Sequence, residues 1–98
     1  METFDELIKS DTPVLVDFYA DWCGPCQTMM PIIKEMAVNL KGKARIIKIN
    51  IDKNQAASAH YNVRSVPTFM IFKSGKMVWQ HSGTLDKNTF EKQILSFV

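Results

Sequence analysis

The sequence predicts an α/β fold in which a mixed β-sheet carries helices on both faces. Three observations carry that expectation. Residues 14–20 form a near-continuous apolar run, as in a strand buried on both faces, and a helical pattern follows at once. A second run, residues 44–51, is rich in isoleucine. Two more short apolar runs are joined by Lys73-Ser74-Gly75-Lys76, a hairpin signal, and lead to a last amphipathic stretch. Strand, helix, strand, helix, hairpin and helix in that order build such a sheet.

The elements can be justified in turn. Thr3 and Glu6 match a capping box, and Phe4, Leu7 and Ile8 share one helical face, so a short first helix is expected. Pro13 closes it before the first strand. From Cys23 to Leu40 the apolar residues Cys26, Met30, Ile33, Ala37 and Leu40 recur at three- and four-residue spacing. Pro31 lies within this helix and removes a hydrogen bond to the carbonyl of Gln27. After the second strand, Asn54 is placed to cap a short helix through Tyr61, and Asn62 suits a left-handed C-terminal position. Strands are expected at 68–72 and 77–81. The last helix begins near Asp86, with Leu85 and Phe90 as a hydrophobic staple and with Phe90, Ile94, Phe97 and Val98 facing the core.

Ninety-eight residues, 46% of them apolar, suffice for one domain over residues 1–98 with its own core, about 13 Å in radius of gyration. The net charge is +2, and the 12 basic and 10 acidic residues are interspersed, unlike the clustered basic face of a nucleic-acid binder. No apolar run is long enough to cross a bilayer. Met1 is followed by Glu2 and Asp5 rather than by a basic and then apolar leader, so a cytoplasmic location is expected.

Both cysteines fall in Trp22-Cys23-Gly24-Pro25-Cys26, at the foot of the first strand and the start of a helix. A structural disulfide would close a loop of only about four residues, worth roughly 2 kcal/mol. A zinc site would need four ligands, and His60 and His81 stand at no ligand spacing from the pair. Haem attachment needs a histidine where Gln27 stands. Thiol–disulfide exchange is the reading that suits the spacing and position. Asp17 is the other anomaly, an acid in the middle of an apolar strand. It must be paired, as with Lys48 among the isoleucines, or protonated.

The stretch Val16-Asp17-Phe18-Tyr19-Ala20-Asp21-Trp22-Cys23-Gly24-Pro25-Cys26 resembles the active-site segment of the thioredoxins. The resemblance continues through Pro31, Lys48-Ile49-Asn50-Ile51-Asp52, Val63-Arg64-Ser65-Val66-Pro67-Thr68, Phe72, Gly75 and Gly83. It implies a thioredoxin fold. Only Met1 and Glu2 precede the capping box, so the strand that commonly opens the family is expected to be absent. That leaves four strands, with residues 44–51 at an edge that Lys43, Arg45 and Lys48 protect.

The resemblance also implies roles. Cys23, partly exposed, attacks a substrate disulfide, and Cys26 resolves the mixed disulfide. Asp17, tuned by Lys48, exchanges the proton of Cys26. Trp22, Gly24, Pro25, Gly83 and a cis Val66–Pro67 corner with Ser65 form the substrate surface. The implied activity is protein-disulfide reduction with no metal and no bound cofactor. NADPH and FAD act only through a partner thioredoxin reductase, and the carrier is a monomer acting on disulfide-containing proteins. The rival readings are a disulfide oxidase or isomerase, and a thiol-independent binding subunit. Gln27 replaces a common basic residue and Tyr19 a common second tryptophan, which bears on potential and partner choice.

Overall fold

A computed structural model describes residues 3–98. Met1 and Glu2, on which the reading of the chain's start rests in part, lie outside the described residues. The elements run α1 (Phe4–Ile8), β1 (Val14–Tyr19), α2 (Gly24–Asn39), β2 (Arg45–Asn50), α3 (Gln55–His60), β3 (Thr68–Lys73), β4 (Lys76–Ser82) and α4 (Lys87–Leu95). They form a four-stranded sheet of order β2-β1-β3-β4. Strand β1 pairs parallel with β2 and antiparallel with β3, and β3 pairs antiparallel with β4. The mixed sheet and the edge position of β2 are as the sequence implies. The Cα radius of gyration is 12.5 Å.

Side chains of β1 alternate between two cores. Leu15, with Phe69 and Ile71 of β3, packs against Met29, Ile33 and Met36 of α2 and Phe90 and Ile94 of α4. Val14, Val16 and Phe18 pack on the opposite face with Ile8, Met70 and Phe72, flanked by Phe4 of α1 and Tyr61. Each of these large side chains taken from water stabilises the fold by about 1.5–3 kcal/mol. Burial of β1 on both faces is therefore what forces any polar residue within it to be exceptional.

Local chemistry fixes the ends. Thr3 Oγ1 accepts from the backbone N–H of Glu6 at 3.2 Å, as the capping pattern predicts. Asp86 Oδ2 accepts from the N–H and hydroxyl of Thr89, both at 3.0 Å, and starts α4. Asn62 takes φ 56° as expected after α3. Asn54, at the opposite end of α3, differs from expectation, because its side chain donates to the Asn50 carbonyl (3.0 Å) instead of capping α3. The hairpin is tighter than the four residues read from sequence. Lys73 and Lys76 already pair, and Ser74 (φ 53°) and Gly75 (φ 84°) alone make the turn.

Two core assignments need correction. On α2 the buried stripe is Cys26, Met29, Ile33, Met36 and Leu40, whereas Met30 and Ala37 face outward. Both sets satisfy three-and-four spacing, and contact with the sheet selects the first. At the C-terminal end Phe97 is half-buried but Val98 is 59% exposed, since α4 ends at Leu95.

Candidate functional site

The site forms at the C-terminal end of β1, where the chain turns into α2. Cys23 is the N-cap of α2, with extended backbone (φ −90°, ψ 111°), and its Sγ accepts from the Cys26 N–H at 3.1 Å. Gly24 and Pro25 occupy the first two helical positions. Proline is at home there because it lacks an N–H that the helix could not use. The Cys26 N–H of this first turn therefore points at the Cys23 sulfur, where it and the helix N-terminus favour a thiolate. Cys23 and Cys26 are joined as a disulfide with Cα atoms 5.3 Å apart.

Exposure does not separate the two sulfurs. Cys23 is 4% exposed and Cys26 6%, which corrects the expectation of a partly exposed Cys23. Ala20 is buried with them, and Val66, Tyr19 and Ile51 pack against the group. What separates the cysteines is the cavity on the far side. A cavity of about 220 Å³ is lined by Asp17, Tyr19, Ala20, Asp21, Cys26, Gln27, Met30 and Lys48. Cys26 faces it and Cys23 does not.

Asp17 lies on the same face of β1 as Leu15, turned toward α2, and is buried. Its Oδ1 has no hydrogen-bond partner. Burial raises its pKa from an ordinary 3.8 to about 6, against a smaller downward pull from the Lys48 ammonium. Lys48 is the register partner of Asp17 on β2, and its Nζ lies 6.0 Å from the centre of the Tyr19 ring. The acid is thus attended by a positive charge but not neutralised by it.

Of the remaining predicted residues, Val66 packs on the group that holds the disulfide. The Val66–Pro67 peptide is cis, as the resemblance implied. The Pro67 carbonyl accepts from the Gly83 N–H at 2.9 Å, which ties those two positions together. Gly83 has φ 94°, and a Cβ there would meet nothing within 4 Å, so the backbone is open on that side. Thr68 Oγ1 donates to the Ser65 carbonyl at 2.7 Å and pins the loop before β3. Gly24 and Pro25 are exposed.

Trp22 is 70% exposed, and its indole N–H donates to Asp52 Oδ2 at 2.9 Å. Asp52 is itself held by its N–H donating to Asn50 Oδ1 (2.9 Å), and Asn50 is buried. Sequence reading gave neither Asn50 nor Asp52 a role. Their one signal was a buried-strand asparagine followed closely by an acid. Gln27 donates through Nε2 to the Asp21 carbonyl at 3.0 Å, so at this position a neutral amide braces the loop. Among the described residues no group of three or more His, Cys, Asp or Glu side chains is placed to hold a metal ion.

This arrangement can be set beside known proteins. The Thioredoxin family model matches residues 1–96. The chain belongs to the thioredoxin family. The thioredoxin of Rickettsia felis is 48% identical over 84 residues, covering 86% of this chain and 80% of the relative. That of Chlorobaculum thiosulfatiphilum is 47% identical over 89 residues, covering 91% and 82%. The crystal structure of oxidised mitochondrial thioredoxin 3 from Saccharomyces cerevisiae superposes with a TM-score of 0.85 at 30% identity, covering 95% of this chain and 86% of that one. The thioredoxin fold and a Cys23–Cys26 redox disulfide make this chain a thiol–disulfide oxidoreductase, a protein-disulfide reductase in the manner of its family. No helix among the described residues is long and apolar enough to cross a membrane.

Proposed function

We propose that residues 1–98 act as one thioredoxin domain in which Cys23 attacks, Cys26 resolves and Asp17 moves the proton between these steps. In the reduced protein the Cys23 thiolate attacks one sulfur of a substrate disulfide. A Cys23–substrate disulfide forms, and the other substrate sulfur leaves as a thiolate. Asp17 then takes the proton of Cys26, through water that a cavity of about 220 Å³ has room to hold. The Cys26 thiolate attacks the Cys23 sulfur, the second substrate thiol departs, and the Cys23–Cys26 disulfide closes. Two electrons pass to the substrate; one departing sulfur takes the Cys26 proton back from Asp17, and the other thiolate is protonated by solvent water.

The observation that carries this assignment is the asymmetry of the pair. Cys23 Sγ receives a helix N–H, while Cys26 alone shares the cavity with Asp17 and Lys48. A carboxyl titrating at about 6 is ionised at neutral pH and still basic enough to accept a proton. Lys48 holds that value below what burial alone would set. Trp22, Gly24, Pro25, Val66, Pro67 and Gly83 supply the substrate surface. Strand-like pairing with substrate falls to the backbone of Ser65 and Val66, in a loop that the Thr68 hydroxyl holds through the Ser65 carbonyl.

The partners in this reading are disulfide-containing proteins and a flavoprotein thioredoxin reductase that draws on NADPH, with this chain as a monomeric carrier. A cytoplasmic location belongs to this reading. The decisive experiment is catalysed reduction of insulin by dithiothreitol, across pH, for the native chain, Cys23→Ser and Asp17→Asn. Cys23→Ser should be inactive, and Asp17→Asn should be slower, with the limb of its pH profile near 6 missing. An inactive native chain would favour the thiol-independent binding subunit instead, and an active Cys23→Ser protein would remove Cys23 as the attacking group. An unchanged Asp17→Asn profile would remove Asp17 from the mechanism.

A further inference from the structure

Met30 differs from its neighbours on α2. Met29 and Met36 are 1% and 0% exposed and belong to the core between α2 and the sheet. Met30 is 42% exposed, yet it also lines the Asp17 cavity. A dissolved oxidant can reach such a thioether, and a change at its sulfur is felt inside the cavity. Susceptibility of methionine to oxidation follows exposure, and the product is polar where the parent was apolar.

We propose that Met30 is an oxidation site through which a hydroperoxide alters the surroundings of Asp17. The sulfur lone pair attacks the terminal peroxide oxygen, an S–O bond forms as the O–O bond breaks, and the peroxide proton moves to the departing oxygen. With hydrogen peroxide that oxygen leaves as water. The sulfur loses two electrons and the peroxide gains them. While Cys23 and Cys26 are joined, they offer no thiolate to compete for the oxidant.

The consequence follows from the cavity walls. The titratable and charged groups that share the cavity with Asp17 are Lys48 from β2, Tyr19 from β1 and Asp21 from the loop, with disulfide-bonded Cys26 and neutral Gln27 of α2 completing the lining. None of them changes when Met30 is oxidised. A sulfoxide at the wall draws water toward a carboxyl whose Oδ1 has no partner. That weakens the burial that disfavours its charged form, so Asp17 should titrate at lower pH. The inference rests on the proton-transfer reading only for its effect on turnover.

The disulfide form, treated with dilute hydrogen peroxide and mapped by peptide mass, should gain oxygen at Met30 and at the exposed Met77 before Met29, Met36 or Met70. The Asp17 titration midpoint, read from its carboxyl carbon-13 shift, should then fall. The fall should persist in Met77→Leu and be absent in Met30→Leu. Oxidation of Met30 no sooner than the buried methionines, or a midpoint that stays or rises once Met30 is oxidised, overturns the proposal. The two readings fail separately. An unchanged pH profile in Asp17→Asn defeats the proton-transfer role, whereas the carbon-13 midpoint judges Met30 without any turnover.

Discussion

Replacing Asp17 by asparagine should make the protein more stable above neutral pH and leave it nearly unchanged in acid. The carboxyl titrates at about 6 in the fold and at 3.8 when unfolded, because burial disfavours its charge. Between those values the folded state binds more protons than the unfolded one, so stability falls as pH rises through this window. A shift of roughly two units at 1.36 kcal/mol each amounts to about 3 kcal/mol once both states are ionised. Asparagine has the shape of the neutral carboxyl and no charge to desolvate, so it escapes that loss. The assay is urea unfolding of the disulfide form of both proteins at about pH 8 and again near pH 3, where the gap should shrink to a few tenths of a kcal/mol. A stability difference that is the same at both pH values would refute the reasoning, because it would show that the aspartate's charge is not what burial opposes.

Three other outcomes are expected. Cys26→Ser should attack a disulfide substrate once and stop, leaving a covalent adduct on Cys23 detectable by intact mass. Asp52→Ala should release the Trp22 indole, changing tryptophan emission and raising KM more than it lowers kcat, with a stability loss of less than about 1 kcal/mol because the contact is exposed. Phe90→Ala should cost about 3–5 kcal/mol by urea unfolding, since this ring is fully buried and packs edge-on to Phe69 at 4.7 Å between centroids.

The parts of this fold that sequence made legible are those governed by local pattern. Residues 14–20 read as a buried strand because no face of the run is polar apart from Asp17, and Thr3, Asp86 and Asn62 act at helix ends as their side chains dictate. The phase of α2 was not legible. Met29 and Met30 are adjacent and equally apolar, and only the sheet beneath the helix decides which is buried. At the site, the cysteine spacing and the acid in β1 were visible because each is anomalous within its own segment. The indole–carboxylate contact was hidden, since Trp22 and Asp52 lie 30 positions apart. Burial of Cys23 was hidden for the same reason, because Ile51 and Val66 come from distant segments to pack on its cluster.

The β3–β4 turn has a consequence for how the molecule can be handled. The N–H groups of Ser74 and Gly75 donate to the carbonyls of Ser10 (3.0 Å) and Ile8 (2.9 Å), and Lys73 Nζ donates to the carbonyl of Phe97 (2.6 Å). Segments from near both extremes of the described chain are thus clasped by one hairpin, at the end of the sheet where β1 begins. The cysteines lie at the other end, where β1 finishes. A bead, surface or fused carrier attached beyond Phe97 would hold the protein by its clasp and leave the disulfide facing outward. An immobilised reductant anchored there would keep its reactive end free to meet large substrates.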